Sequence, residues 1–102
     1  MAIASVLFHR LAARDYRAAL RWYARRSTTA AHRFRAAVDH VLQRIANHPQ
    51  QGSVYQGRFR WMPARRYPYV IYYEVIGPTE VRILAVAHAG RRPGYWLRRA
   101  RP

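Results

Sequence analysis

Tyr67-Pro68-Tyr69-Val70-Ile71-Tyr72-Tyr73-Glu74-Val75-Ile76-Gly77-Pro78-Thr79-Glu80-Val81-Arg82-Ile83-Leu84-Ala85-Val86-Ala87-His88 is the stretch that decides the fold. β-Branched and aromatic residues fill Tyr67 to Ile76 and apolar residues fill most of Glu80 to His88, while Gly77-Pro78-Thr79 between them is turn chemistry. Upstream, Arg58-Phe59-Arg60-Trp61 alternates polar and aromatic, and Pro63 and Pro68 mark bounds between strands. The three runs predict an antiparallel meander, to which the short apolar run Ile3 to Phe8 can add.

Between that first run and the meander the period changes from two to that of a helix. Tyr16, Ala19, Leu20 and Tyr23 recur at helical spacing and predict a helix from about Leu11 to Arg26. At about 100° per residue, Arg10, Arg14, Arg17, Arg21 and Arg25 fall together on its opposite face, without acidic neighbours to pair with them. Ser27-Thr28-Thr29 supplies a break and an N-cap. A second helix carries Phe34, Val38, Val41 and Ile45 to a stop at Asn47-His48-Pro49, with Gly52 completing the turn. So short a break implies an antiparallel helical hairpin, and a hairpin followed by a meander predicts an α+β domain with helices on one sheet face. Residues from about 89 form a basic tail, either a short helix or an extended arm.

A chain of 102 residues suffices for one domain, and with 51% hydrophobic residues it has the means to bury a core. It has no cysteine, which excludes disulfides and thiolate metal sites. No apolar run has the length of a bilayer span, and the N-terminal run lacks the basic region of a signal peptide, so the expected location is the cytoplasm and no membrane partner is expected. Net charge is +15, from 19 arginines and no lysine against Asp15, Asp39, Glu74 and Glu80. The bland reading of Arg in place of Lys is a bias in codon choice, and that reading does not account for the charge. Such a surface predicts a negatively charged partner. The excess is shared by both halves of the sequence, so the domain as a whole is basic.

The ordered set of a strand, a helix with Ala13, Asp15 and Trp22-Tyr23, a helix ending in Asn47-His48-Pro49, Gly52, Arg58, the Arg66-to-Tyr73 strand, the Ile83-to-His88 strand, and Arg91-Arg92-Pro93 with Tyr95-Trp96 and Arg99 resembles the RelE/ParE superfamily of type II toxin–antitoxin toxins, the plasmid-stabilisation type. The likeness covers nearly the whole chain and makes residues 1–102 one toxin domain. It implies an N-terminal strand and helical hairpin packed on a small curved antiparallel sheet, and an acidic antitoxin that wraps the toxin. It implies growth inhibition by one of two routes: metal-free cleavage of ribosome-bound mRNA, or poisoning of DNA gyrase without chemistry. Neither route calls for a cofactor, metal or small molecule.

Metal-free RNA cleavage needs a base for the 2′-OH, stabilisation of the phosphorane and an acid for the leaving oxygen. Arg suits the second task but cannot serve as a base. The candidate catalytic set is therefore His88, Arg91, Arg92 and Tyr95, with Tyr73 a further acid–base candidate. RNA or target binding falls to Arg58, Arg60, Arg65, Arg66, Trp96 and Arg99, and antitoxin binding to Arg10, Arg14, Arg17, Arg21 and Arg25. Each has a structural alternative: His88 as a hydrogen-bonded strand end, Tyr95 and Trp96 as a cover for the core, Arg65 and Arg66 as a solvated turn. In the ribonuclease members the resemblance places an Arg just after the first aromatic of the central strand; here that place holds Val70. A general basic nucleic-acid-binding module and an inactive relic are the competing readings of the same charge.

Overall fold

The computed structural model describes residues 3–100; Arg101 of the basic tail lies outside them. The first apolar run forms β1 (Ser5–Phe8), followed by α1 (Arg10–Ala24), α2 (Thr28–Asn47) and a single 3-10 turn at Pro49–Gln51. The sheet continues with β2 (Ser53–Tyr55), β3 (Phe59–Ala64), β4 (Tyr69–Gly77) and β5 (Glu80–His88), and the tail ends in a 3-10 turn, Leu97–Ala100.

Both helices begin on side-chain caps. His9 Nδ1 accepts from Leu11 N–H at 3.0 Å, and Ser27 Oγ accepts from Ala30 N–H at 2.9 Å. Phe34, Val38, Val41 and Ile45 are all buried, as their spacing predicts, and α2 stops at Asn47 because Pro49 two residues on cannot continue it. Burial, and the positive charge of Arg99, Arg82 and Arg10 nearby, push the His9 pKa below its ordinary 6.5. Protonation would also remove the cap, since Nδ1 is the acceptor. The unfolded chain therefore takes up this proton at a higher pH than the folded one. Stability associated with neutral His9 is full above about pH 6.5 and falls as pH drops through the lower folded value. We expect thermal unfolding to move to lower temperature between pH 7 and pH 5, and less so in His9→Asn, which keeps a cap acceptor and does not titrate. An unchanged pH slope in that variant would remove His9 as the cause.

The sheet has five strands in the order β1-β5-β4-β3-β2. It is mixed, which corrects the expectation of an antiparallel sheet: β1 pairs parallel with β5, Ser5 opposite Glu80 through Phe8 opposite Ile83. The helical hairpin leads from β1 into β2, which runs against it, and the three antiparallel pairings from β2 to β5 bring β5 into the direction of β1. β2 is an addition to the expected meander, a three-residue edge strand with Val54 opposite Arg60.

Two cores result. On the helix face lie Phe34, Val38, Val41, Ile45, Met62, Ile71, Tyr73, Val81, Ile83 and Val86, with Tyr16, Leu20 and Tyr23 half-buried against them. On the other face the tail folds back over the sheet, and Trp96 and Ala100 pack on Phe59, Leu84, Ala85 and Ala87. A β-bulge lets β5 serve both. Tyr72 faces Ala85 but Tyr73 faces Ile83, so Leu84 is an extra residue and Leu84 and Ala85 point to the same side.

Tyr73 fastens the crossover to the sheet. Its hydroxyl donates to Pro49 O at 2.7 Å and accepts from Gly52 N–H at 3.1 Å. A Cβ on Gly52 would stand 2.4 Å from that oxygen, so only glycine allows the approach. Burial raises the Tyr73 pKa, and its hydrogen bonds make it a structural tyrosine rather than an acid–base group.

Candidate target-binding site

The topology gathers at one end of the molecule what the sequence spreads along the chain. The β3–β4 turn carries Arg65 and Arg66; the end of β5 carries His88 and leads to Arg91 and Arg92. Trp22 and Tyr23 of α1 meet Pro68, Tyr69 and His88 there, which brings Arg25 and Arg26 to the same end, with Arg26 stacked 3.6 Å over the Trp22 ring. The carboxylates are engaged by other arginines or lie elsewhere, and Asp15, which borders the groove with His88, Arg91 and Tyr95, is the nearest. Asp15 binds Arg99, Glu74 sits between Arg58 and Arg82, Asp39 is on α2, and Glu80 starts β5 at the opposite end. Among the described residues these three ion pairs engage three of 18 arginines, so the cationic pole is left unneutralised.

Within the pole, a shallow cleft of about 70 Å³ opens on the tail side of the sheet. Val70 and Ala87 share its lining with Tyr72, His88, Arg91, Arg92, Tyr95 and Trp96. Arg91 and Arg92 are exposed, and the Arg91 guanidinium lies 3.9 Å over the Tyr95 ring. His88 stands edge-on to Tyr69 with ring centroids 5.3 Å apart. Its Nδ1 accepts from Gly90 N–H at 2.9 Å, leaving Nε2 as the free nitrogen. Burial, reinforced by Asp15, raises the Tyr95 pKa, so its phenol stays protonated and is a weak base. His88, Arg91, Arg92 and Tyr95 thus come together at one cleft.

Other expected site residues are held apart from it. Trp96 is fully buried, with its ring against Phe59, Tyr55 and Tyr72, so it presents no face for a base to stack on. Arg99 turns inward: Nη1 donates to Asp15 Oδ2 at 2.6 Å and to Leu84 O at 3.0 Å, and its side chain is 13% exposed. Arg58 binds Glu74 at 2.8 Å and the Ala100 carbonyl at 3.3 Å, holding the tail down from the far end. Arg60 closes the loop before β2 through the carbonyls of Gln50 and Gly52. In this conformation the three arginines are committed to the fold by hydrogen bonds to the protein's own oxygens, and Trp96 by packing alone, its Nε1 buried without a partner. Arg65 and Arg66 remain exposed at the pole, Arg66 in the left-handed region at φ 72°. Arg10, Arg14, Arg17, Arg21 and Arg25 are all exposed along the outer side of α1.

Two participants were not singled out as site residues from the sequence. Asp15 is the anchor of the tail; in a chain with four acids, any acid within a helix is a candidate clip, and that scarcity is the signal. Trp22, 44% exposed, borders a groove between α1 and the tail, which a tryptophan next to a cationic stripe was able to suggest. Among the described residues no group of three His, Asp or Glu stands close enough to hold a metal ion, and no helix is long and apolar enough to cross a membrane.

The structure is thus a small α+β domain that presents an unneutralised cationic pole and shallow clefts. Its sequence matches the family described as "ParE toxin of type II toxin-antitoxin system, parDE" over residues 6–93. The chain belongs to that family, within the RelE/ParE superfamily of type II toxins. No curated protein matches it.

Proposed function

We propose that this toxin acts on DNA gyrase through the cationic pole, without chemistry of its own, and is neutralised by an acidic antitoxin. The observation that carries the choice of target is the floor of the cleft. Val70 lies on the same face as Ala87 and the Arg91–Arg92 pair, so the position where the ribonuclease members carry Arg is here an apolar surface. A phosphorane bound over Val70 and Ala87 would lose the bidentate donor that stabilises it. The proton-transfer groups fit the same reading: Tyr95 is held protonated, and His88 has one nitrogen committed to the Gly90 turn. What remains is a contact surface of exposed guanidinium groups over an apolar base, suited to an acidic protein face.

Inducible expression tests the reading. Growth arrest is expected, relieved by an acidic protein encoded beside the gene. In extracts of arrested cells, gyrase supercoiling is expected to fall while mRNA stays intact. Cleavage of mRNA in the ribosome with normal supercoiling would instead assign the chain to the ribonuclease route. Harmless expression, with salt-sensitive binding to any DNA or RNA, would leave it a basic nucleic-acid-binding module.

A further inference from the structure

α1 turns one face to solvent along its whole length, and that face is a row of arginines. Arg10, Arg14, Arg17, Arg21 and Arg25 are all exposed, Arg25 continuing the helical backbone at the C-cap with φ −63° and ψ −25°. At 1.5 Å per residue the row is about 22 Å long. Beside it stand Ala13, Ala18 and Ala24, with Leu11 at its start, so that no other long side chain screens most of the guanidinium groups. None of the five arginines is in an ion pair among the described residues. Two acids belong to the helical layer, and neither joins the row. Asp15 lies about 120° round α1 from it and is bound to Arg99. Asp39 of α2 lies with Arg35 beside the Tyr16 hydroxyl, on the side of α1 that meets α2.

The row destabilises the helix that carries it. Arg10–Arg14, Arg14–Arg17, Arg17–Arg21 and Arg21–Arg25 are successive like charges three or four residues apart, and each such pair weakens a helix. Arg10 also sets a cation at the positive end of the helix dipole, and the first turn holds no acid to offset it. The outer face of the neighbouring α2 is different: it carries His32, Ala36, Asp39, His40 and Gln43. The row is therefore a local feature of α1 and not an even share of the overall charge.

We propose that the α1 row binds the backbone of duplex DNA without regard to sequence. Length and stiffness choose this occupant. A straight row about 22 Å long meets a stiff rod that carries one negative charge per ~1.7 Å, and each phosphate neutralised releases condensed counterions. A single strand takes much of its affinity from bases stacked on aromatic rings, and the row holds none; Trp22, at its margin, already carries Arg26 stacked on its ring. An acidic peptide would find neither an apolar pocket nor a strand edge on this face, and would have to be ordered for exposed ion pairs that are individually weak. None of the five arginines lines the cleft of Arg91 and Arg92, so duplex and target can be held together. The DNA contact does not depend on which target the pole meets.

Fluorescence anisotropy of a labelled duplex of about 20 base pairs, roughly two helical turns, tests the row on the full chain. Five neutralised phosphates give a slope of log affinity on log salt of about −4.5, a loss of about 500-fold between about 50 and 200 mM salt. Arg17→Ala/Arg21→Ala is expected to flatten the slope to about −2.7, a loss of about 40-fold over the same range. Arg33→Ala/Arg35→Ala on α2 removes the same charge and is expected to leave the slope within about 0.5 of the parent. Alanine is the best helix former, so neither change threatens its helix. Ala18→Glu sets an acid beside the row, three or four residues from Arg14 and Arg21. It is expected to weaken duplex binding about tenfold while keeping or raising the melting temperature, a combination that damage to the fold would not produce. Equal slopes for the two arginine pairs, binding indifferent to Ala18→Glu, or tighter binding of the single strand than of the duplex overturns the proposal. A slope flattened by Arg17→Ala/Arg21→Ala in a chain harmless on expression would uphold the row and remove the toxin role; arrest with the slope unchanged in that variant would do the reverse.

Discussion

Replacing Asp15 by Ala is expected to lower stability by about 3–5 kcal/mol, the cost of leaving a largely buried charge without its partner. Asp15 takes both Nη atoms of Arg99, at 2.6 and 3.3 Å, and the Val86 N–H at 3.2 Å. Its removal strands the guanidinium beside the Leu84 carbonyl and leaves an amide of β5 unpaired. It also frees the tail, whose Trp96 covers the second sheet face. For a domain of this size the melting temperature should fall by roughly 15 °C or more. Arg99→Met removes the charge and keeps the stem, so the double variant should lose less than the sum of the two single changes. Thermal and urea unfolding measure all three. A loss below about 1 kcal/mol for Asp15→Ala would mean that the tail is held by packing alone.

The Arg91→Ala/Arg92→Ala double variant is expected to abolish growth arrest while leaving the melting temperature nearly unchanged. Both side chains are exposed, and neither has a carboxylate partner among the described residues. Substitution at such positions shifts stability by no more than about 0.5 kcal/mol. If they anchor the target, each contributes on the order of 2 kcal/mol, and losing both weakens binding about a thousandfold. The matched control is Arg33→Ala/Arg35→Ala on α2, which removes the same charge from outside the cleft that Arg91 and Arg92 line and is expected to leave arrest intact. Equal loss from both pairs would show that net charge acts without a localised site.

The helices were legible because their period is carried by residues that have one place to go: Phe34, Val38, Val41 and Ile45 are all buried. The direction of β1 was not, since nothing in Ser5 to Phe8 distinguishes a parallel partner from an antiparallel one. β2 escaped notice because three residues, two of them exposed, make no alternation. The fate of the arginines was the hardest to see. Arg91 and Arg99 stand in the same basic tail, yet one is exposed and the other bound to a residue 84 positions away. Local sequence carries no mark of that difference; it arises when Trp96 turns the tail back over Phe59 and Leu84. The cationic pole was invisible for a related reason, since arginines evenly spread in sequence are concentrated only by the folding of three turns to one end.

The extra residue in β5 makes the strand a phase converter between two packing layers. Before Leu84 the odd residues Val81 and Ile83 serve the helix layer; after Ala85 the even residue Val86 does, and Ala87 serves the tail. Deleting one residue here would therefore not shorten the strand so much as exchange its allegiances. Ala87 would be sent under the helices and Val86 under Trp96. In this short stretch, point changes are far safer than insertions or deletions, and homologues should vary in residue identity there while holding length constant.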